Sequence, residues 1–240
     1  MAGKLVIDSA ALSDVGTRRR LNEDAYLARP DLGLFAVADG MGGHDAGDFA
    51  SRLVTDAVAT IADGLDPAQR MQALRDAIQG AHRAILHEAE IRGRGVIGAT
   101  VAALMMADGH FVALWAGDSR IYRYREGGVE MLTWDHSAVA ELVLSGQMSW
   151  DEADQHPQAN AITRAVGVGD DLELDKVRGP LAPGDRFLIC SDGLTRYATF
   201  GTLERVLGSC PIETASERLI QVALAGGGAD NISVIVVDVL

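Results

Sequence analysis

Four aspartates stand against apolar runs and beside glycine or asparagine, a combination suited to holding a hard cation. Val37-Ala38-Asp39-Gly40-Met41-Gly42-Gly43-His44 follows Leu34-Phe35-Ala36-Val37, and Gly117-Asp118-Ser119-Arg120 follows the apolar stretch 110–116. Ser191-Asp192-Gly193-Leu194 follows 187–190, and Gly226-Gly227-Gly228-Ala229-Asp230-Asn231 precedes the apolar stretch 232–239. A carboxylate at a strand end suits Mg²⁺ or Mn²⁺, which prefer oxygen donors. Glycine beside it lets the chain turn through positive φ and brings bare backbone close to a ligand. One Asp-Gly pair is also ordinary turn chemistry. Four such aspartates with a shared purpose would converge on one edge of a sheet system. A fifth segment, Arg18-Arg19-Arg20-Leu21-Asn22-Glu23-Asp24, offers guanidinium forks that match phosphate and two acids for a metal beside it. It also reads as a polar loop whose charges neutralise one another.

The elements that must position these residues follow from periodicity. Residues 4–11 read as a first strand, with Ser13-Asp14-Val15-Gly16 as the turn out of it, and the run before Asp39 reads as a strand ending in a tight corner. Phe49, Ala50, Leu53, Val54, Ala57, Val58 and Ile61 form one helical stripe. A second helix opens at Asp66-Pro67, an N-cap with proline at the first helical position, and turns Met71, Leu74, Ile78, Ala81 and Ile85 inward. His82 and His87, five apart, read as ordinary helix-surface histidines. Strands follow over 99–106, 110–116 and 121–125, joined by Asp108-Gly109 and Glu126-Gly127-Gly128 turns. Helices over 202–207 and 213–225 precede the last strand. Residues 133–167 break this rhythm, with a short helix over 137–144 and a capping-box pattern at Ser149-Trp150-Asp151-Glu152. Strands in hairpins and helices in pairs give an α+β class.

Composition bounds what the chain can do. At 240 residues and 48% hydrophobic it has ample apolar surface for a core. Its net charge of −13 disfavours nucleic-acid or anionic-membrane binding by bulk charge. No apolar run approaches the ~20 residues of a membrane span. Cys190 and Cys210 make no disulfide framework, and no charged-then-apolar leader begins at Met1, so a reducing cytoplasm is the expected compartment. Cys190 closes an apolar run and is expected to be a small buried residue rather than a nucleophile.

In order and spacing, Gly16-x-x-Arg19-x-x-Asn22-Glu23-Asp24, Asp39-Gly40-Met41-Gly42-Gly43, Gly117-Asp118-Ser119-Arg120, Ser191-Asp192-Gly193 and Asp230-Asn231 closely resemble the type 2C metal-dependent serine/threonine protein phosphatases, in their bacterial form. The resemblance runs from about residue 13 to 237. It implies one catalytic domain over 1–240, folded as an α/β/β/α sandwich of two antiparallel sheets flanked by helix pairs, with a mobile flap over about 133–167 beside the active site. It also implies the site. Asp39 would bridge two Mn²⁺ or Mg²⁺ ions, the Gly40 carbonyl reaching one of them, with Asp192 and Asp230 completing the second. Asp118 with Asp192 would take a third, and Glu23 and Asp24 would hold water around the metals or bind directly. Two ions ~3.5–4 Å apart can activate a bridging water for direct in-line attack on phosphorus, with Arg19 clamping the phosphate.

Two positions depart from the family pattern. Met41 stands where many relatives carry a histidine proposed to protonate the leaving alkoxide, and a thioether cannot donate that proton. Water on the metal and His44 are the candidate acids, and His44 also reads as a structural helix-entry residue. Ala159 stands where the family often has an arginine before Asn160, so no phosphate contact is expected from it. The function expected is hydrolysis of phosphoserine and phosphothreonine in proteins, opposing a cognate kinase. The alternative is a phosphatase-like regulator or binding module acting on one dedicated phosphoprotein or a non-protein phosphate.

Overall fold

The computed structural model describes residues 6–42, 46–93 and 95–240. Along the described residues run β1 (Ile7–Asp14), β2 (Asp24–Arg29), β3 (Leu34–Met41), α1 (Ala46–Ala59), α2 (Pro67–Arg92), β4 (Gly98–Ala99), β5 (Val101–Ala107) and β6 (His110–Ala116). Then come β7 (Arg120–Arg125), β8 (Gly128–Met131), α3 (Ala140–Leu144), α4 (Trp150–Ala153), β9 (Asp175–Pro180), β10 (Arg186–Cys190), α5 (Asp192–Thr195), α6 (Phe200–Ser209), α7 (Ile212–Gly226) and β11 (Ile232–Val239). One sheet is ordered β1-β11-β10-β7-β8 and the other β2-β3-β5-β6-β9, with β4 on β3. Each recorded strand pairing is antiparallel.

Alternation explains why the strand sequences are apolar throughout. On β3, Phe35 and Val37 face the partner sheet while Leu34, Ala36 and Ala38 face helices, so both faces are buried. The inner layer joins Phe35, Val37, Leu104 and Phe111 to Phe187, Ile189, Ile235 and Val237, and the Phe111 and Phe187 rings meet edge-on at 5.2 Å. Val54 of α1 and Leu74, Ile78 and Ile85 of α2 cover one outer face. Leu203, Leu207, Leu219 and Ala223 of α6 and α7 cover the other. The result is the expected four-layer α/β/β/α sandwich. Each large apolar side chain buried this way contributes about 1.5–3 kcal/mol relative to exposure.

Local signals acted as read at several points. Asp66 caps α2 in a capping box with Gln69, Pro67 follows it, and Ser149 and Glu152 form the box that starts α4. Asp108 and Gly109 both take positive φ in the β5–β6 turn. Elsewhere the structure corrects the reading. β1 runs to Asp14, which pairs with Ile232, so the strand extends into the proposed turn. Asp39 lies within β3, opposite Asp24 of β2, and the corner comes only at Gly42. The 137–144 helix is confined to Ala140–Leu144, because Ser137 bridges to Ile162 instead. His82 is buried, and its Nδ1 accepts the Gly167 N–H at 2.9 Å. The strands that sequence did not reveal, β2, β8 and β9, lie at sheet edges, where a half-exposed face interrupts the apolar run.

Candidate metal centre

Antiparallel order brings the chemistry together. β3, β6 and β10 end where β2 and β11 begin, so Asp39, Asp118, Asp192, Asp24 and Asp230 gather at one edge of the sandwich, each feeling charge from at least one of the others. Backbone contacts hold them there. Thr100 clamps Asp39 from both sides: its N–H donates to the Asp39 carbonyl at 2.8 Å, and its Oγ1 accepts the Asp39 N–H at 2.9 Å. Thr100 Oγ1 also lies 2.7 Å from Ser119 Oγ, linking Asp39 to the residue after Asp118. Gly40 donates its N–H to the Glu23 carbonyl at 3.0 Å, and a Cβ there would lie 2.1 Å from the Gly47 carbonyl oxygen. Glycine is therefore required for close approach, as the motif suggested.

Asn231 is the hub of the segment that carries Glu23 and Asp24. Its Oδ1 accepts the Glu23 N–H at 2.8 Å, and its Nδ2 donates to the carbonyls of Val15 and Leu21 at 2.9 and 3.0 Å. Ser191 Oγ donates to Asp24 Oδ2 at 2.7 Å and accepts the Ser233 N–H at 3.0 Å. Sequence reading did not assign Thr100, Ser119, Ser191 or Ser233 to the site. Ser119, Ser191 and Asn231 adjoin the motif aspartates, and that adjacency was the one available signal.

These carboxylates are electrostatically uncomfortable without cations. Burial, then the charges of Asp24 and Asp192, hold the Asp39 carboxyl well above the usual carboxylate range. Burial, then Asp192, does the same to Asp118. Asp24 is pushed up to about 7, chiefly by burial, and Asp192 to about 6 by burial and then Asp230. Glu23 is raised by burial. Glu23 Oε1, Asp24 Oδ1, Asp118 Oδ1 and Asp192 Oδ1 are buried with no hydrogen-bond partner, although buried acceptors are ordinarily satisfied. Oxygen-only donors with free lone pairs fit Mg²⁺ or Mn²⁺. Among the described residues no three Asp, Glu, His or Cys side chains converge into a ready-made cage.

Arg19 is paired with Asp230, Nε to Oδ1 and Nη2 to Oδ2 both at 2.8 Å, so the structure joins the expected phosphate clamp to an expected metal ligand. The pair is partly exposed, with Arg19 about half open to solvent. Met41 turns its thioether methyl toward Gly98. His44 lies outside the described residues.

The segment expected to be a flap is fastened beside Asp118. Arg120 forks onto Asp135 at 2.8 and 2.7 Å and onto Asp154 at 3.1 and 2.6 Å, and its guanidinium lies 4.9 Å from the Trp150 ring centre. Cys190 is fully buried, which pushes its thiol far up and removes it as a nucleophile.

A family model described as protein phosphatase 2C matches residues 17–222. The serine/threonine protein phosphatase PstP of Mycobacterium tuberculosis is 37% identical over 237 residues, covering 98% of this chain. The chain spans 46% of that relative's length. The solved structure of PppA, a key regulatory component of T6SS in Pseudomonas aeruginosa, superposes with a TM-score of 0.91 at 40% identity, covering 98% of both chains. The catalytic domain of PstP in complex with two manganese ions superposes with a TM-score of 0.89 at 34% identity, covering 99% of this chain and 100% of that one. With matching fold and motifs across nearly its whole length, the chain belongs to the protein phosphatase 2C family.

Proposed function

We propose that residues 1–240 act as one catalytic domain that hydrolyses phosphoserine and phosphothreonine in proteins. Asp39, Asp192 and Asp230, with the Gly40 carbonyl, would hold two Mn²⁺ or Mg²⁺ ions, and Asp118 with Asp192 a third. The observation that carries this reading is the set of buried carboxylate oxygens, unpartnered and mutually repelling, delivered to one edge by both sheets. The manganese-bound PstP structure supports it. Bound divalent ions would supply positive charge for the phosphate and lower the pKa of the attacking water.

The chain's own groups do the rest. Asp24 Oδ1 and Glu23 Oε1 are free to accept hydrogen bonds and orient water in the centre. The Arg19 fork, held at the rim by Asp230, is placed to turn onto the peripheral phosphate oxygens and stabilise the charge that develops on them. Met41 supplies no proton, so the leaving alkoxide takes its proton from ordered water in this reading. The substrates would be proteins phosphorylated by a cognate serine/threonine kinase. Two free thiols support a reducing, cytoplasmic setting. Among the described residues no helix is long and apolar enough to cross a membrane.

Phosphate release from a phosphothreonine peptide by chelator-stripped protein, with and without Mn²⁺, tests this reading. Turnover is expected only with the metal. Asp192→Ala should abolish it, and Arg19→Ala should lower it by about 10²–10³ while Mn²⁺ still binds by calorimetry. Absence of turnover under Mn²⁺ and under Mg²⁺ would remove the catalytic reading.

A further inference from the structure

The cleft between Asp118 and the 133–167 segment is walled by Asp118, Asp135, Asp154 and Asp192, with the uncharged Asn160 opposite, and two arginines enter it. They are in opposite situations. Arg120 is buried, and both its forks are occupied by Asp135 and Asp154. Arg196 is exposed, and among the described residues its guanidinium enters no ion pair.

The backbone under Arg196 is nevertheless fixed. Its N–H donates to the Asp192 carbonyl at 3.1 Å, and its own carbonyl accepts from Gln155 Nε2 at 2.7 Å. The next residue, Tyr197, accepts the Ala229 N–H on its hydroxyl at 3.1 Å. A free guanidinium is thus presented from a rigid base, between the 133–167 segment and the loop that carries Asp230. The Arg196 charge reaches Asp192 through space without forming an ion pair with it. Once divalent ions take up Asp118 and Asp192, as the phosphatase reading has it, the counter-charge left for the guanidinium is an anion brought by the substrate. The chain's net charge of −13 repels acidic peptides from the rest of the surface, which makes one unpaired cation at the mouth of the centre more discriminating.

We propose that Arg196 is a specificity residue that binds an aspartate or glutamate side chain flanking the phosphorylated residue of the substrate. This inference rests on the phosphatase reading above. It places substrate choice partly on the wall formed by α5 rather than on the 133–167 segment alone, where Ala159 offers no charge.

The test compares two phosphothreonine peptides that differ only in Glu or Gln at the flanking positions. Turnover is measured on Mn²⁺-loaded protein, and binding on the non-hydrolysable phosphonate forms by fluorescence anisotropy. Wild type should favour the Glu peptide. Arg196→Ala should raise KM for that peptide by about threefold to fivefold with kcat kept, and should leave the Gln peptide unaffected. Arg196→Glu should turn the preference toward a Lys-flanked peptide, a gain that misfolding cannot imitate. Arg205→Ala, on the exposed side of α6, should behave as wild type. An unchanged Glu-to-Gln ratio in Arg196→Ala overturns the proposal, as does an equal loss on both peptides, which would put the guanidinium on the shared phosphate. Should wild type release no phosphate even from p-nitrophenyl phosphate, the phosphatase reading fails separately. The anisotropy ratio then still decides whether Arg196 selects acidic flanks.

Discussion

A Cβ on Gly193 would lie 1.9 Å from the Asn231 carbonyl oxygen, at the point where the residue after Asp192 crosses the residue after Asp230. The two aspartate motifs therefore touch through backbone, and even a methyl group must push them apart. Gly193→Ala is expected to cost about 1–3 kcal/mol in urea denaturation and to lower turnover more than its stability loss explains. His136 is a second residue whose state is set by its contacts. Its Nδ1 accepts the Gly117 N–H at 3.1 Å, and its Nε2 faces both Asp175 Oδ2 at 3.2 Å and the Arg164 guanidinium at 3.1 Å, a cation that disfavours a second charge on the ring. Burial moves its pKa below 6.5. A lowered folded value means that its contribution to stability is present above about pH 6.5 and is lost as pH falls through the folded value. An imidazole NMR titration should find His136 titrating below 6.5, and His136→Gln should flatten the acid limb of the stability curve. A midpoint at or above 6.5 would contradict this account.

Elements act here as carriers of charge from one layer to another. Arg120 opens β7, yet its two forks reach Asp135, in the loop after β8, and Asp154, at the end of α4. Val139, Ala140, Ala153, Ala165 and Val166 are buried in the 133–167 segment, and this ion triad is the charged anchor that fastens it beside Asp118. Arg120→Met would strand two buried carboxylates, a loss of about 3–5 kcal/mol. Hydrogen exchange should rise across 133–167 while β5 and β6 stay protected. Arg120→Lys should recover only part of the protection, because an ammonium cannot make two planar forks. Uniform exchange across the whole chain in Arg120→Met would show instead that the triad supports the sandwich rather than this segment.

At the scale of the molecule, the candidate centre draws carboxylates from both sheets. Asp24 and Asp39 come from one sheet, and Asp192 and Asp230 from strand ends of the other. Ions bound between them would favour the folded state by mass action, about 2.7 kcal/mol at a hundred times Kd. Chelator-stripped protein should therefore melt at a higher temperature when Mn²⁺ is added, and the gain should shrink in Asp192→Asn. The same variant without metal should melt no lower than wild type, because it removes one member of a repelling buried set. A melting temperature indifferent to Mn²⁺ would argue against a metal centre at this edge.

By itself the sequence determined the α+β class and the candidate ligands, and its family resemblance implied the four-layer order and the ligand roles. Continuous apolar strands, striped helices, capping residues and strand-end aspartates with their glycines are local signals read over a few residues, which is why the sequence carries them. It did not reveal the edge strands β2, β8 and β9, whose polar faces dilute the apolar pattern, or the burial of His82, which meets Gly167 only after the chain has folded back. Only the tertiary structure decided which charges meet. Arg19 and Asp230 pair across 211 positions of chain, Asp24 takes its hydrogen bond from Ser191 across 167, and Arg120 rather than Arg196 is used up by the cleft's carboxylates. Such choices depend on distances set by sheet order and packing, and no spacing along the chain encodes them.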